Sequence, residues 1–238
     1  MIVTLLTDFG TADSYVAELK GVLLSRTTDI TFVDISHEVP PGDIRAAQYL
    51  LSRTWKHFPR GTIHIAVVDP DVGTERRAMA AESGGHRFLA PDNGLLSFLP
   101  ADATFVSMPV PADASATFHG RDVFAPAAAT LAAGDPINVL GQSLKHPVRV
   151  PLPVANHDGT AVIGEVIYVD RFGTLISNIE ARVVEPGVRI RIGEVDVGPL
   201  RRTFADVGRG VLVAFTGSGG TVEIAVRDGS AARMLGVG

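Results

Sequence analysis

Short apolar runs alternate with helical patterns over the first seventy residues, and this alternation limits the N-terminal part of the chain to few folds. The apolar runs are residues 2–6, 30–35 and 62–68. Between them, Asp13 and Ser14 can cap a helix that extends to about Ser25, and Asp43 can start a second helix. This order predicts an α/β domain with a mostly parallel sheet that helices cover on both faces.

The next stretch predicts a hairpin and one more helix. Residues 78–81 and 87–90 are two β-rich runs separated by Ser83, Gly84 and Gly85, which favour a turn. Asp122 is expected to open an alanine-rich helix that ends near residue 134. Both features belong to the same α/β region.

The sequence pattern changes at residues 147–153, where three prolines mark a domain boundary. Beyond it the β-branched runs are short and are separated by glycine or proline. These runs are residues 162–169, 175–177, 188–192, 211–215 and 222–226. None of them has a helical period, so we expect residues 1–150 to form the α/β domain and residues 151–238 a small antiparallel β-barrel.

Composition excludes several kinds of chemistry and partner. The 238 residues include no cysteine, which rules out disulfides, thiolate metal sites and cysteine nucleophiles. The formal net charge of -5 argues against a nucleic-acid or anionic membrane surface. Because no apolar run approaches a membrane span and no basic leader begins the chain, we expect a cytoplasmic protein with a small-molecule ligand.

Three acids lie at the ends of the predicted parallel strands, where α/β sheets bind ligands. Asp8 and Asp69 follow the first and third runs, and Asp34 lies within the second. Each could instead serve only as a loop cap. Asp8 with Gly10 suits ribose hydroxyls, because a carboxylate accepts two hydrogen bonds and glycine permits close approach. Asp34 is expected to do no more than support its strand end.

Two sequence patches carry the densest groups of ionisable side chains. In residues 67–77 two acids, Asp69 and Asp71, face two arginines, Arg76 and Arg77, across a tight Pro-Gly loop. Surface ion pairing is the plain alternative for this loop. In the following motif, APDNG, the asparagine Asn93 suits either a turn or a ligand.

The second patch surrounds His119, which lies just before the predicted helix. A helix dipole lowers the pKa of an imidazole at that position and favours its neutral form. The other histidines lack such a setting and are expected to be structural or exposed: His37, His57, His64, His86, His146 and His157. Since no histidine spacing matches a zinc site, we expect no catalytic metal.

In the β region, residues 168–179 place an acid, an aromatic ring and a polar group around one turn. These residues are Asp170, Phe172 and Asn178. Phe172 beside Asp170 could supply a stacking face, although a core position is also open. Ser218 lies in a glycine-rich loop that lacks the lysine and the helix of a phosphate loop.

Six motifs in order resemble the S-adenosylmethionine hydrolases that form adenosine, relatives of the fluorinating and chlorinating enzymes. They are TDFG, VVDPDVGTERR, APDNG, FHGRDVFAP, YVDRFGTLISNI and SGGTVEIA. The resemblance covers nearly the whole chain. It implies hydrolysis of S-adenosyl-L-methionine through attack of water at ribose C5′, with no cofactor. It also implies a homotrimer whose sites combine the N-terminal domain of one subunit with the C-terminal domain of the next.

The resemblance assigns roles residue by residue. It implies a water-positioning triad of Asp69, Arg76 and His119. The candidate substrate-binding residues are Asp8 for the ribose, Asp170 for the methionine ammonium, Phe172 for the adenine, Ser218 for the methionine carboxylate, and Asp13, Asn93 and Asn178. The departures from the family pattern are Asp71, Thr174 and Gly42. A halide-dependent enzyme and a non-catalytic adenosine-binding module are the alternative functions.

Overall fold

The computed structural model describes residues 1–237, which form two compact units, the first ending at Pro151. The elements of the first unit are β1 (Ile2–Thr7), α1 (Tyr15–Arg26), β2 (Thr31–Ser36), α2 (Ile44–Thr54) with a 3₁₀ turn (Trp55–His57), β3 (Ile63–Val67), β4 (Ala78–Ser83), β5 (His86–Pro91), β6 (Thr104–Met108), a π-helical turn (Gly120–Phe124), α3 (Ala125–Ala132), a second 3₁₀ turn (Ile137–Leu140) and β7 (Gln142–Ser143).

Seven strands of the first unit form one mixed sheet in the order β2-β1-β3-β5-β4-β6-β7. Strands β2, β1, β3 and β5 pair in parallel, whereas β4 and β7 run against their neighbours. The predicted α/β class with a mostly parallel sheet is confirmed. Thr7 lies opposite Val67 in the β1–β3 ladder, so the loops that follow these two strands leave the sheet side by side.

Helices cover both faces of this sheet. Nearly all residues of β1 and β3 are buried, and their side chains lie alternately on one face and the other. On one face, Val3 and Ile65 pack in a core with Leu19 of α1 and Leu131 of α3. The opposite face meets α2, which contacts β1 and β2. No helix within residues 1–237 has the length and apolar character needed to cross a bilayer.

The helix starts follow the sequence signals with two differences. Asp43 caps α2 by accepting a hydrogen bond from the Ala46 N–H, as predicted. Ser14 precedes α1, but its hydroxyl donates to Glu18 instead of accepting from the backbone. The prediction that Asp122 opens the third helix is wrong, because the π-helical turn already begins at Gly120. The Asp122 carboxylate instead accepts from the Ser115 N–H.

The second unit, which begins at Leu152, consists mainly of β-strands. Its elements are β8 (Asn156–Asp158), β9 (Ala161–Ile163), β10 (Val166–Val169), β11 (Leu175–Glu180), a 3₁₀ turn (Ala181–Val183), β12 (Arg189–Ile192), β13 (Val195–Arg201), a 3₁₀ turn (Phe204–Asp206), β14 (Leu212–Thr216), β15 (Thr221–Val226) and α4 (Ala231–Leu235). Six strands form a curled, barrel-like sheet in the order β10-β11-β15-β14-β13-β12, which confirms the predicted class.

Three details of this unit differ from the prediction. The run 162–169 is two strands, because the chain breaks at Gly164, where a Cβ would lie 2.3 Å from Asn178 Oδ1. The strand β13 was not predicted, because it lacks a clear β-branched run. It pairs in parallel with β14, whereas the prediction was an antiparallel sheet. A short helix, α4, follows the last strand and is capped by Ser230.

A pair of buried histidines lies in the aromatic core beside α2. His64 Nδ1 lies 2.8 Å from Thr4 Oγ1, and His64 Nε2 lies 3.2 Å from His86 Nδ1. His64 also stacks on Phe88, and His86 meets the edge of Trp55. Burial, with a smaller contribution from His86, lowers the pKa of His64 to about 3. His64 is therefore neutral in the folded protein.

This histidine makes the first unit sensitive to acid. Because the pKa of His64 falls from its ordinary 6.5 to about 3 on folding, its contribution to stability is complete above pH 6.5 and is lost as the pH drops toward 3. The free energy of unfolding can be measured in urea by the fluorescence of the single tryptophan, Trp55. Between pH 6 and 4, His64→Phe should reduce the slope of this free energy against pH by up to about 1.4 kcal/mol per pH unit. Exposed His57→Phe is the control, and an unchanged slope in His64→Phe would refute the assignment.

Candidate active site

Asp69, Arg76 and His119 meet at the edge of the sheet where the parallel strands end. Asp69 follows β3, Arg76 precedes β4, and His119 precedes the π-helical turn. Arg76 Nη2 donates to Asp69 Oδ2 and lies 3.0 Å from His119 Nδ1. The side chains of Asp69 and Arg76 are only 4% and 6% exposed, and His119 is buried. One guanidinium thus joins a carboxylate to an imidazole away from solvent.

The loop between β3 and β4 can reach His119 because of Gly73. This residue has φ +83°, and a Cβ on it would lie 2.6 Å from the Ala116 carbonyl oxygen. A larger residue would force the loop away from the segment that leads to His119. Asn93 supports the other side of the loop, since its amide donates to the Val68 carbonyl over 2.9 Å.

The hydrogen bonds define the protonation state of the imidazole. Arginine has only N–H donors, so His119 Nδ1 accepts and the ring proton of the neutral form lies on Nε2. Burial and the Arg76 charge together lower the pKa of His119, which keeps the ring neutral. The predicted direction of this pKa shift is confirmed. Its main causes are burial and Arg76 rather than the helix dipole that the sequence suggested.

Two opposing effects act on the pKa of the Asp69 carboxylate. Burial raises the pKa of Asp69, and the Arg76 guanidinium opposes that rise. Asp69 Oδ1 and Arg76 Nε are buried and have no hydrogen-bond partner in the described protein. Since unsatisfied buried polar atoms are costly, such a pair of atoms is typical of a site that binds a polar ligand or water.

Asp8 lies beside this cluster at the end of β1. Its Oδ2 accepts from the Gly42 N–H at 2.8 Å, and Gly42 in turn faces Pro70, the residue after Asp69. A cavity of about 520 Å³ opens next to Asp8. It is lined by Asp8, Phe9, Tyr15, Glu18, Ser115, Thr117, Phe118 and Arg121.

The predicted pairing of two acids with two arginines across one loop is only half correct. Asp69 pairs with Arg76, but Arg77 does not pair with Asp71. The Arg77 guanidinium instead binds Asp92, whose side chain is 1% exposed. No local sequence pattern predicts this contact, because Asp92 lies fifteen residues further along, after β5.

The two remaining predicted substrate-binding residues of the first unit, Asp13 and Asn93, differ from each other in exposure and hydrogen bonding. Asp13 is exposed in the loop between β1 and α1. Asn93 uses both ends of its amide within the protein, since its Oδ1 also accepts from the Leu95 N–H at 3.2 Å. Asn93 therefore positions the strand end that carries Asp69.

In the second unit, Asp170 organises the turn between β10 and β11. Its Oδ1 accepts from the N–H groups of Phe172 and Thr174, at 2.9 and 2.8 Å. This turn projects Phe172, which is 76% exposed, although large apolar side chains are usually buried. The family departure at Thr174 is buried at the base of the same turn.

Phe172 and Asp170 border a cavity of about 780 Å³ in this unit, together with Phe204. Phe204 is 44% exposed and was not identified from the sequence, where it lies in no recognisable motif. Asn178 connects backbone segments, because it accepts from the Glu165 N–H and donates to the Pro153 carbonyl. Ser218 is exposed in the loop between β14 and β15.

Comparisons with known proteins identify the family of both units. Residues 3–141 match the family model for the SAM hydroxide adenosyltransferase N-terminal domain, and residues 164–238 match the model for its C-terminal domain. A protein from Thermus thermophilus named (R)-S-adenosyl-L-methionine hydrolase is 42% identical over 98% of this chain and 94% of its own length.

Two further matches extend the comparison. A protein from Nocardia brasiliensis named fluorinase is 32% identical over 94% of this chain and 89% of its own. The crystal structure of a conserved protein from Thermotoga maritima superposes with a TM-score of 0.89 at 33% identity, over 100% of this chain and 97% of that one. The whole fold is therefore shared with solved structures.

The state of His119 can be tested by NMR of histidine-labelled protein. We expect the neutral Nε2–H tautomer and a pKa below the ordinary 6.5. Arg76→Ala should raise the pKa of His119, because it removes a cation and leaves Asp69 nearby. Arg182→Ala, at an exposed arginine of the second unit, should leave it unchanged. An Nδ1–H tautomer, or a pKa insensitive to Arg76→Ala, would contradict the assigned geometry.

Proposed function

This chain belongs to the SAM hydroxide adenosyltransferase family, and from that premise we propose that it hydrolyses S-adenosyl-L-methionine to adenosine and L-methionine. Relatives named (R)-S-adenosyl-L-methionine hydrolase identify the chain as a hydrolase, and its substrate and mechanism are the proposal. The observation that carries the proposal is the buried Asp69 carboxylate, which is held by Arg76 on one oxygen and whose other oxygen has no hydrogen-bond partner within residues 1–237.

The step that needs catalysis in the proposed reaction is the activation of the nucleophile, because the leaving group needs no assistance. A water oxygen forms a bond to ribose C5′ while the C5′–sulfur bond breaks, and the electron pair of that bond goes to sulfur. The sulfonium thus leaves as a neutral thioether and needs no proton. The water must lose one proton and must lie in line with the breaking bond. No cofactor is part of this proposal.

Asp69 is the proposed acceptor of that proton. Its Oδ1 is buried and has no hydrogen-bond partner among the residues that the structure describes, so it is available to accept a hydrogen bond from water. Burial raises the pKa of Asp69 and makes the carboxylate a stronger base, while the Arg76 charge opposes the rise and favours the ionised form. General-base assistance of this kind is worth roughly 10² to 10⁴-fold in rate.

His119 and Arg76 have supporting roles in the proposal. With Nδ1 occupied by Arg76, His119 offers only its Nε2–H, which can donate to the oxygen of the attacking water. Arg76 fixes both partners and offsets the negative charge that develops as the water is deprotonated. The nucleophile is thereby oriented by two contacts.

The substrate contacts are proposed from the resemblance and are supported by exposure and position. Asp8, near the triad, would accept from the ribose hydroxyls. Phe172 offers an exposed ring for the adenine, with Phe204 bordering the same cavity. Asp170 and Ser218 would bind the methionine ammonium and carboxylate. The homotrimer is likewise proposed from the resemblance.

Asp13, Asn93 and Asn178 have weaker support as substrate contacts. The amides of Asn93 and Asn178 are bonded to the protein's own backbone at both ends. We assign them positioning roles within the proposal. Asp13 is exposed in the loop between β1 and α1, which keeps it a candidate contact.

A halide-dependent reaction is the second candidate function, because a fluorinase is among the relatives. The buried Asp69 Oδ1, which has no partner among the described residues, argues against it, since a buried carboxylate repels an anionic nucleophile and attracts a hydrogen-bond donor such as water. A buried carboxylate that shares one arginine with a neutral histidine is typical of an acid–base site, which favours an enzyme over a pure binding module.

Product analysis tests the proposal against both alternatives. Incubation with S-adenosyl-L-methionine should release adenosine and methionine at the same rate with or without fluoride or chloride. Asp69→Asn should lower kcat by about 10² to 10⁴-fold with little change in KM. Asp34→Asn, the same change within β2, should keep near-parental activity. Halogenated adenosine, no turnover, or full activity in folded Asp69→Asn would each refute the proposal.

A further inference from the structure

We propose that the Arg77–Asp92 ion pair is a positioning element that holds Arg76 in place for the reaction. This inference rests on the proposed function, because it concerns how Arg76 is kept against Asp69. Neither Arg77 nor Asp92 touches the triad carboxylate or imidazole in the described contacts. Their effect would be exerted through the backbone carbonyl of Arg77.

The pair lies where the β4–β5 hairpin joins the triad loop. Ala78 and Pro91 form the last register pair of that hairpin. The Asp92 N–H donates to the Arg77 carbonyl at 3.0 Å, which extends the ladder by one step. Across this step, Arg77 Nε donates to Asp92 Oδ2 at 2.8 Å. Backbone and side chains therefore fix Arg77 together.

The Arg77 carbonyl is also an acceptor for the triad arginine. Arg76 Nη1 donates to it at 2.7 Å, while Arg76 Nη2 serves Asp69 and His119. One carbonyl oxygen therefore receives two hydrogen bonds, from Asp92 and from Arg76. Any shift of residue 77 relative to residue 92 would move the guanidinium of Arg76.

The burial of Asp92 distinguishes this pair from ordinary surface ion pairs. Its Oδ2 binds Arg77 and its Oδ1 accepts from the Val148 N–H at 2.7 Å, so both carboxylate oxygens are used. A carboxylate this buried is stable only when paired, so Arg77 is held firmly despite its own partial exposure.

A displaced Arg76 would change the pH dependence of kcat, whereas a loss of stability alone would not. The charged or titratable groups that act on Asp69 are Arg76 in its own loop and His119 from the segment before the π-helical turn. If Arg76 withdraws, the Asp69 pKa rises further, because burial then acts with less opposition. The acid limb of the kcat profile, below which Asp69 is protonated, should then move to higher pH.

The experiment compares two cross-strand pairs of the same hairpin. Asp92→Asn removes the charge that binds Arg77 but can retain an acceptor for Val148. Glu82→Gln is the matched control, because Glu82 lies opposite Arg87 at the far end of the hairpin, 3.5 Å from its guanidinium. Both variants, with Arg77→Ala and the parent, are assayed for kcat, KM, pH profile and melting temperature.

We expect Asp92→Asn and Arg77→Ala to lower kcat by about ten- to a hundredfold, with the acid limb moved to higher pH and a smaller change in KM. Glu82→Gln should match the parent in kcat and pH profile. A lower melting temperature with an unmoved acid limb would overturn the inference and leave only a structural role.

The same assay separates this inference from the proposed function. Asp69→Asn is included as the reference for loss of the base. If Asp69→Asn is inactive and the Arg77 and Asp92 variants keep the parental acid limb, the positioning role alone fails. If folded Asp69→Asn retains full activity, the proposed function fails first.

Discussion

The arrangement of the site depends on the hydrogen bonds that the guanidinium of Arg76 donates. Its donors reach Asp69 after β3, His119 before the π-helical turn, and the carbonyl of Arg77 at the start of β4. Because arginine only donates, its partners must be acceptors: an ionised carboxylate, a bare Nδ1 and a backbone oxygen. The geometry therefore determines protonation states as well as positions. In the proposed reaction, Asp69 Oδ1 and the His119 Nε2–H bind the attacking water.

Much of the fold follows from local sequence signals. Apolar runs of five to seven residues that stop at Asp8 and Asp69 predicted parallel strands, and the Thr7–Val67 register brings those ends together. The cap at Asp43 and the Gly84–Gly85 turn also formed as expected, because a side-chain acceptor and left-handed glycines act within a few residues. The ionisable sequence patches contained Asp69, Arg76 and His119, the family resemblance selected these three, and Arg76 contacts the other two in the structure.

The differences arise where distant residues decide the outcome. The partner of Arg77 is Asp92 rather than neighbouring Asp71, because the β4–β5 ladder brings residue 92 alongside residue 77. The break at Gly164 depends on Asn178, in the strand after next. The cavity that Phe204 borders is formed by several segments of the second unit, and none of them signals it alone. Hydrophobic periodicity carries no information about such contacts.

In the proposed reaction, water that is activated by a buried carboxylate attacks the ribose C5′ of S-adenosyl-L-methionine. Turnover in ¹⁸O-labelled water, followed by mass spectrometry of the products, shows which carbon the water attacks. We predict one labelled oxygen in the 5′-hydroxyl of adenosine and none in methionine. Label in homoserine, with methylthioadenosine released, would show that a different carbon–sulfur bond is cut and would contradict the account.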